Sequence, residues 1–387
     1  MRISEWKVCK YLFLGLLIVL LSFSPMVTTL VMAEKGEQAE QAELTKVRVG
    51  IAPYPMFIFW IPIHELGIDK EFGLDIEVTE FAMSLPAAQA MIHGDVDICP
   101  SCHNEHIAAM AGAPQLVQLG TLGYFKGFIF VGRKGEWKPI GELVAELGPE
   151  KAKEVRLKEF EGKSFVGIPQ RKPLIIDAIA QVGLTEDDVT LMKFADDQKG
   201  ATAFMRGTGD ISIGGLPQAK RLLGMPDQYV NIGGDEILGP AGLWYDTNIT
   251  TKKYITENRE SCLRAMAAFY RAIRLFDKDP KIMSGIASKA LSRMTGGDFS
   301  EEDWIEMQTM YDDFVSIEEA KEGYFNPGSP LYWKIAVDYN IKLAQELGDL
   351  DSSVTAENNF REHEKLFWEL LDRKDLMDKI YAPFPEY

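Results

Sequence analysis

Positive charge is scarce in this chain, histidine and cysteine are scarcer, and the common catalytic signatures are missing. Lys and Arg number 41 against 58 Asp and Glu, a formal net charge of −17. A field of that sign repels phosphate backbones and anionic lipid surfaces, which argues against nucleic acid as a partner. Five histidines and four cysteines are spread over 387 residues. No Gly-x-Ser-x-Gly, no His-Glu-x-x-His and no phosphate-binding Gly-rich loop with its lysine occurs. Nucleophile-elbow hydrolysis, zinc peptidase chemistry and P-loop nucleotide binding therefore have no basis in the sequence.

Long apolar runs are also missing, with one exception. Arg2, Lys7 and Lys10 precede the run Tyr11 to Leu21, and Val31 and Ala33 occupy the minus-three and minus-one positions of a cut before Glu34. This is the layout of a secretory signal peptide over 1–33, cleaved near Ala33, and it predicts a periplasmic protein. The competing reading is an uncleaved membrane anchor; Ser22, Ser24, Pro25, Thr28 and Thr29 make a poor membrane helix. Cys9 lies before the apolar run, so no lipoprotein box follows it.

What is present is a patterned chain. Residues 34–46 are polar and free of aromatics, a flexible tether. Val47-Arg48-Val49-Gly50-Ile51 then alternates as a strand. Three blocks recur in order. Val49-Gly50-Ile51-Ala52-Pro53 is echoed by Val166-Gly167-Ile168-Pro169. Gly73-Leu74-Asp75-Ile76 is echoed by Gly183-Leu184 and Asp188-Val189. The helix-to-turn stretch Ala87 to Ile98 is echoed by Ala201 to Ile211. Each copy reads strand, helix, strand, helix, strand, which requires parallel pairing with helical crossovers.

The repeat predicts an α/β protein of two similar lobes, each a mostly parallel sheet flanked by helices, with a ligand cleft between them. Lobe 1 is expected to comprise 47–130 plus 236–387 and lobe 2 131–235. Cys262, Met266, Phe269, Ile273 and Phe276 recur at helical spacing. Residues 283–294, 301–315, 331–347 and 356–371 read as further helices that complete lobe 1, the last as a covering arm.

At this point the sequence resembles the substrate-binding proteins of ABC importers for nitrate, aliphatic sulfonates, taurine and thiamine precursors. The carrying residues are Pro62 to Ile76, the Ala-rich helix ending Gly94-Asp95-Val96-Asp97, the opening Gly162 to Pro169, Gly183-Leu184 with Asp188-Val189, and the helix from Glu257 to Phe276. The likeness spans about residues 46–280, and the order of its loose motifs carries it. It implies a type II periplasmic-binding fold without catalysis or cofactor, a monomer that delivers a small organic solute, anionic or heterocyclic, to an ABC transporter permease. Fungal thiamine-pyrimidine synthases share the fold, and a related enzyme is the alternative within it.

Ligands in open α/β sheets sit beyond the carboxyl ends of the strands, which names the candidate loops. In the aromatic loop Tyr54 to Trp60, Tyr54, Phe57 and Trp60 are candidates for stacking on a ligand, Tyr54 and Trp60 foremost for their polar handles. Ser84 either caps a helix or reaches the ligand. Cys99-Pro100-Ser101-Cys102-His103 follows the strand Val96-Asp97-Ile98 and offers Ser101, Cys102 and His103. Four readings stay open there: a Cys99–Cys102 disulfide, haem c attachment with His103 as axial ligand, a metal held by Cys99, Cys102, His103 and His106, or free thiols. In the second lobe Gln170 and Arg171 stand where the family carries small hydroxyl residues, and Arg171 directed into the cleft would favour an anion. Gly215 and Gln218 follow the strand Asp210 to Ile213, and Trp244 lies at the hinge return.

Overall fold

The structure is a computed structural model and describes residues 43–385. The signal segment and most of the tether lie outside the described residues; Thr45 and Lys46 already belong to the first strand. Among the described residues eleven strands follow in order: β1 Thr45–Ile51, β2 Leu74–Glu80, β3 Cys99–Cys102, β4 Leu116–Phe125, β5 Phe130–Arg133, β6 Ser164–Gly167, β7 Thr190–Lys193, β8 Ile211–Ser212, β9 Tyr229–Gly233, β10 Trp244–Thr251 and β11 Asp312–Phe314.

The repeat read from the sequence is a repeat in space. β1 pairs parallel with β2, Val47 opposite Ile76, and meets the start of β3 through a parallel bridge between Val49 and Ile98. β6 likewise pairs parallel with β7, Phe165 opposite Leu191, and with β8. Beyond these triplets both halves turn antiparallel, although in the first half β1 and β2 form a two-stranded sheet of their own. The first continues β3-β10-β4-β11 and the second β8-β5-β9. The strand next to each parallel triplet comes from the far side of a chain crossing: β5 follows β4 of the first sheet, and β10 follows β9 of the second. The sheets are thus parallel in their repeated part and antiparallel at the exchanged strands, a refinement of the mostly parallel expectation.

Burial explains the local choices. Val47, Val49 and Ile51 are fully buried, and Phe59 and Trp60 pack edge-on against Phe269 of the helix Arg259–Lys278. All five residues of the predicted stripe, Cys262 to Phe276, are buried. Burying one such large side chain is worth roughly 1.5–3 kcal/mol. The C-terminal helix Lys374–Tyr381 closes over this core, its Ile380 carbonyl accepting bonds from both Arg271 and Arg274.

Two predicted helices differ from the expectation. The one expected over 301–315 stops at Met310, and Asp312–Phe314 joins the edge of the first sheet against β4. The one expected over 356–371 divides into Ala356–Asn359 and Glu362–Asp372.

Candidate ligand-binding site

The carboxyl ends of the parallel strands converge on one cavity. Tyr54 and Phe57 follow β1, Cys102 ends β3, and Glu105 stands in the helix His103–Met110 after it. From the second sheet come Arg171, after β6, and Gly215, after β8. Phe125 ends β4, Trp244 and Asp246 begin β10, and Asp312 begins β11. The free volume inside it is about 30 Å³, a water's share and far below the roughly 300–1,000 Å³ of sites that hold organic ligands, so such a ligand enters only if the halves part.

One contact bridges the two sheets at this point. The Tyr54 hydroxyl donates to Asp197 Oδ2 at 3.1 Å, and Asp197 opens the helix after β7. The same oxygen lies 3.6 Å from a terminal nitrogen of Arg171, whose exposure is 3% against 5% for Asp197. The Arg171 guanidinium carbon sits 5.2 Å from the ring centres of both Phe128 and Trp244, a paired cation–π contact. Gly215 is there because nothing larger fits: a Cβ would stand 2.9 Å from Asp197 Oδ2 and 3.0 Å from the Tyr54 ring.

Carboxyl groups dominate the opposite wall. Burial raises Glu105 above the ordinary carboxylate range, against the pull of Arg171, Ser84 and Ser101; the Ser101 hydroxyl donates to it at 3.3 Å. Burial also pushes Asp312 up to about 6, although Asp246 and the Met56 amide, which donates at 3.0 Å, act against the shift. Asp246 goes well above its usual value because burial and then the neighbouring Asp312 charge disfavour its ionisation. It is the member of the pair that keeps its proton.

The predicted site residues divide. Tyr54, Phe57, Cys102, Arg171, Gly215 and Trp244 line the cavity. Ser84 and Ser101 stand behind Glu105, and Ser84 is the first residue of its helix without capping it. Gln218 is buried beside Gly215, while Gln170 is half-buried and outside the lining. Trp60 differs from the expectation: it is fully buried and donates from Nε1 to Asn248 at 3.1 Å, a core residue where Phe57 takes the cavity wall. His103 is also turned away, with Nδ1 accepting the Tyr245 amide at 2.9 Å, and burial lowers it to about 3. His106 packs on Phe360, lowered by burial to about 4.

The Cys-x-x-Cys readings need correction. Cys99 to Cys102 form a strand rather than a loop, and residues three apart in a strand point to opposite faces. Cys99 packs among Ala87, Met91 and Val96, whereas Cys102 joins Phe128 and Trp244, and both thiols are free. The disulfide is therefore not formed. The same divergence keeps the thiols from one porphyrin edge or one metal, with His103 already engaged, so neither haem nor metal fits the motif. Burial pushes Cys99 up to about 12 and raises Cys102 well above a thiol's usual range. Cys102, the thiol in the cavity, is thus no ready nucleophile.

Sequence reasoning missed Glu105, Phe125, Asp197, Asp246 and Asp312. The strand-end rule could have found Asp197, three residues beyond the end of the second-lobe echo at Phe194, and Glu105; nothing local marks Asp312.

Two α/β halves with a cavity at their facing strand ends define a periplasmic-binding fold. Solved proteins of that class superpose on this chain. The alkanesulfonate-binding protein SsuA from Xanthomonas axonopodis pv. citri, solved bound to MOPS, is 15% identical, with a TM-score of 0.60 over 82% of this chain and 99% of its own. The periplasmic nitrate-binding protein NrtA from Synechocystis is 14% identical, with a TM-score of 0.60 over 88% of this chain and 92% of its own. The desulfurization enzyme DSZB also shares the fold, at 11% identity and a TM-score of 0.53, over 85% and 99% of the two chains. Fold alone thus does not separate binder from enzyme. No known family profile and no curated protein sequence matches this chain.

Proposed function

We propose that this chain is an extracytoplasmic solute-binding protein, which captures a small organic molecule by hinge closure and presents the closed form to the permease of an ABC importer. The observation that carries the reading is the composition of the cavity wall: β1, β3, β4, β10 and β11 of one half and β6 and β8 of the other all contribute. A ligand seated there touches both halves at once. It stabilises the arrangement that brings them together, and the closed population grows by the difference in affinity for the two states. In this reading residues 47–130 plus 236–387 form one lobe and 131–235 the other, and the crossings 126–129 and 234–243 are where they turn. Export by a leader over 1–33 places the chain where importers collect solutes.

A thermal-shift screen of the mature chain over small charged and heterocyclic solutes tests the proposal. A ligand at 100 times its Kd stabilises by about 2.7 kcal/mol, and Tyr54→Phe, which loses the bridge to Asp197, should reduce the shift. Turnover of the stabilising compound, seen as product, would contradict the binding-protein reading in favour of an enzyme.

A further inference from the structure

The two lobes also touch outside the cavity. Lys220 lies in the helix Leu216–Leu223, which follows β8 and Gly215, and its Nζ stands 2.7 Å from Glu306 Oε1. Glu306 belongs to the helix Glu301–Met310 that leads into β11. Neither residue lines the cavity, and neither lies in the crossings 126–129 and 234–243. Among the described residues this is the one ion pair that joins 131–235 to the rest of the chain. Both helices are anchored in their own lobe. Trp304 is fully buried and donates from Nε1 to the Pro55 carbonyl at 3.3 Å, and Met307 is buried as well. On the other side Leu216, Ala219 and Leu222 are buried. Lys220 and Glu306 therefore meet while the lobes are together and separate when they part. A second contact, Tyr339 with Asp177, spans the lobes beside a crossing: Asp177 Oδ2 also accepts the Ala241 amide at 3.0 Å. Near a pivot such a contact changes little as the lobes turn.

We infer that Lys220 and Glu306 are positioning residues for capture, a clasp made in the closed form alone, so that closure depends on a pair no solute touches. The inference rests on the binding-protein reading and goes beyond the cavity. A contact present in one of two states shifts their equilibrium by its own free energy, and apparent affinity follows the fraction of chains in the competent state. The side chains are 21% and 39% exposed, so solvent screens the pair and its share is modest. Pairs of this kind move an equilibrium about twofold to fivefold. Tyr54, Asp197 and Arg171 also span the lobes or sit where they meet, but Tyr54 and Arg171 line the cavity. A substitution there mixes closure with solute contact, whereas Lys220 and Glu306 separate the two.

The test needs no solute. Gln198 and Gly296 meet across the cleft, where a Cβ on Gly296 would stand 3.4 Å from Gln198 Nε2, and the nearby Lys199 and Asp298 are exposed. Spin labels at Lys199→Cys and Asp298→Cys in the mature chain report a short distance for closed lobes and a long one for open lobes. Lys220→Ala should lower the closed-to-open ratio about twofold to fivefold. Lys220→Glu, which sets two carboxylates face to face, should lower it further. Adding Glu306→Lys to Lys220→Glu should restore it, a rescue that mere loss of stability does not give. Salt at about 1 M should bring the unsubstituted pair toward Lys220→Ala. Carbodiimide coupling of the unsubstituted mature chain should join Lys220 to Glu306 as a linked peptide pair, which keeps the test sound where a variant folds poorly. An unchanged ratio in Lys220→Glu, a fall that Glu306→Lys does not reverse, or the absence of the linked pair would overturn the inference and leave the binding-protein reading standing. A single distance that no variant and no solute of the thermal-shift screen alters would contradict both.

Discussion

The two halves repeat one strand order, with β11 added at the edge of the first, and carry opposite shares of the site. In the first, the strand ends present Tyr54, Phe57, Glu105, Asp246 and Asp312, a wall of rings and acids. In the second, they present Arg171 and Gly215, with Asp197 behind them as the guanidinium's counter-ion. A duplicated scaffold therefore carries an unequal site: one half supplies charge and shape for a ligand, and the other a pre-paired clamp. Backbone repetition fixes where the loops stand, and the side chains placed on them decide what each half contributes.

The difference can be broken from either side. The largest effect is expected in the clamp. Arg171→Ala leaves Asp197 buried without its cation and should cost about 3–5 kcal/mol in a urea-unfolding measurement. A loss below about 1 kcal/mol would show that the pair is not the structural half of the site. Next is the acid wall, where the sign is opposite. Asp312, raised to about 6 in the folded chain from an ordinary 3.8, contributes stability that is complete below about pH 4 and lost as pH rises through 6. The groups facing it are Asp246, Asp313 and the Met56 amide. The unliganded chain should therefore lose on the order of 1–3 kcal/mol between pH 4 and 7 from this group, and Asp312→Asn should flatten that slope. A third, smaller effect belongs to Gly215→Ala, whose Cβ crowds Asp197 and Tyr54; about 1–3 kcal/mol of destabilisation is expected by thermal melting. The smallest is chemical: Cys99, Cys102 and Cys262, all buried, should resist a thiol reagent in the native chain and react after unfolding, with or without prior reduction.

Much of the fold was legible because it rests on periodicity. The alternation of Val47, Val49 and Ile51, the helical stripe from Cys262 to Phe276 and the ordered echo of three blocks all reappear as buried faces and parallel pairs. Where periodicity is short or ambiguous, the reading failed. Asp312-Asp313-Phe314 looks like the tail of an amphipathic helix, and only pairing with β4 makes it a strand. Phe57 to Trp60 is an unbroken apolar run, so which ring faces the cavity depends on the helical turn they adopt; the structure picks Phe57 and sends Trp60 to the core. The Cys-x-x-Cys spacing read as one face because a loop was assumed, and a strand divides it. Asp246 lies in a strand exchanged between the halves; the return at Trp244 was legible, but no local pattern marks Asp246 as facing the cavity.

Small-angle scattering of the mature chain, with and without a saturating ligand, addresses the central claim directly. The account predicts that the radius of gyration falls when the ligand binds, as two halves close on the cavity between Tyr54 and Arg171. A bound ligand that leaves the scattering profile unchanged, and whose affinity is untouched by Tyr54→Phe, would contradict it.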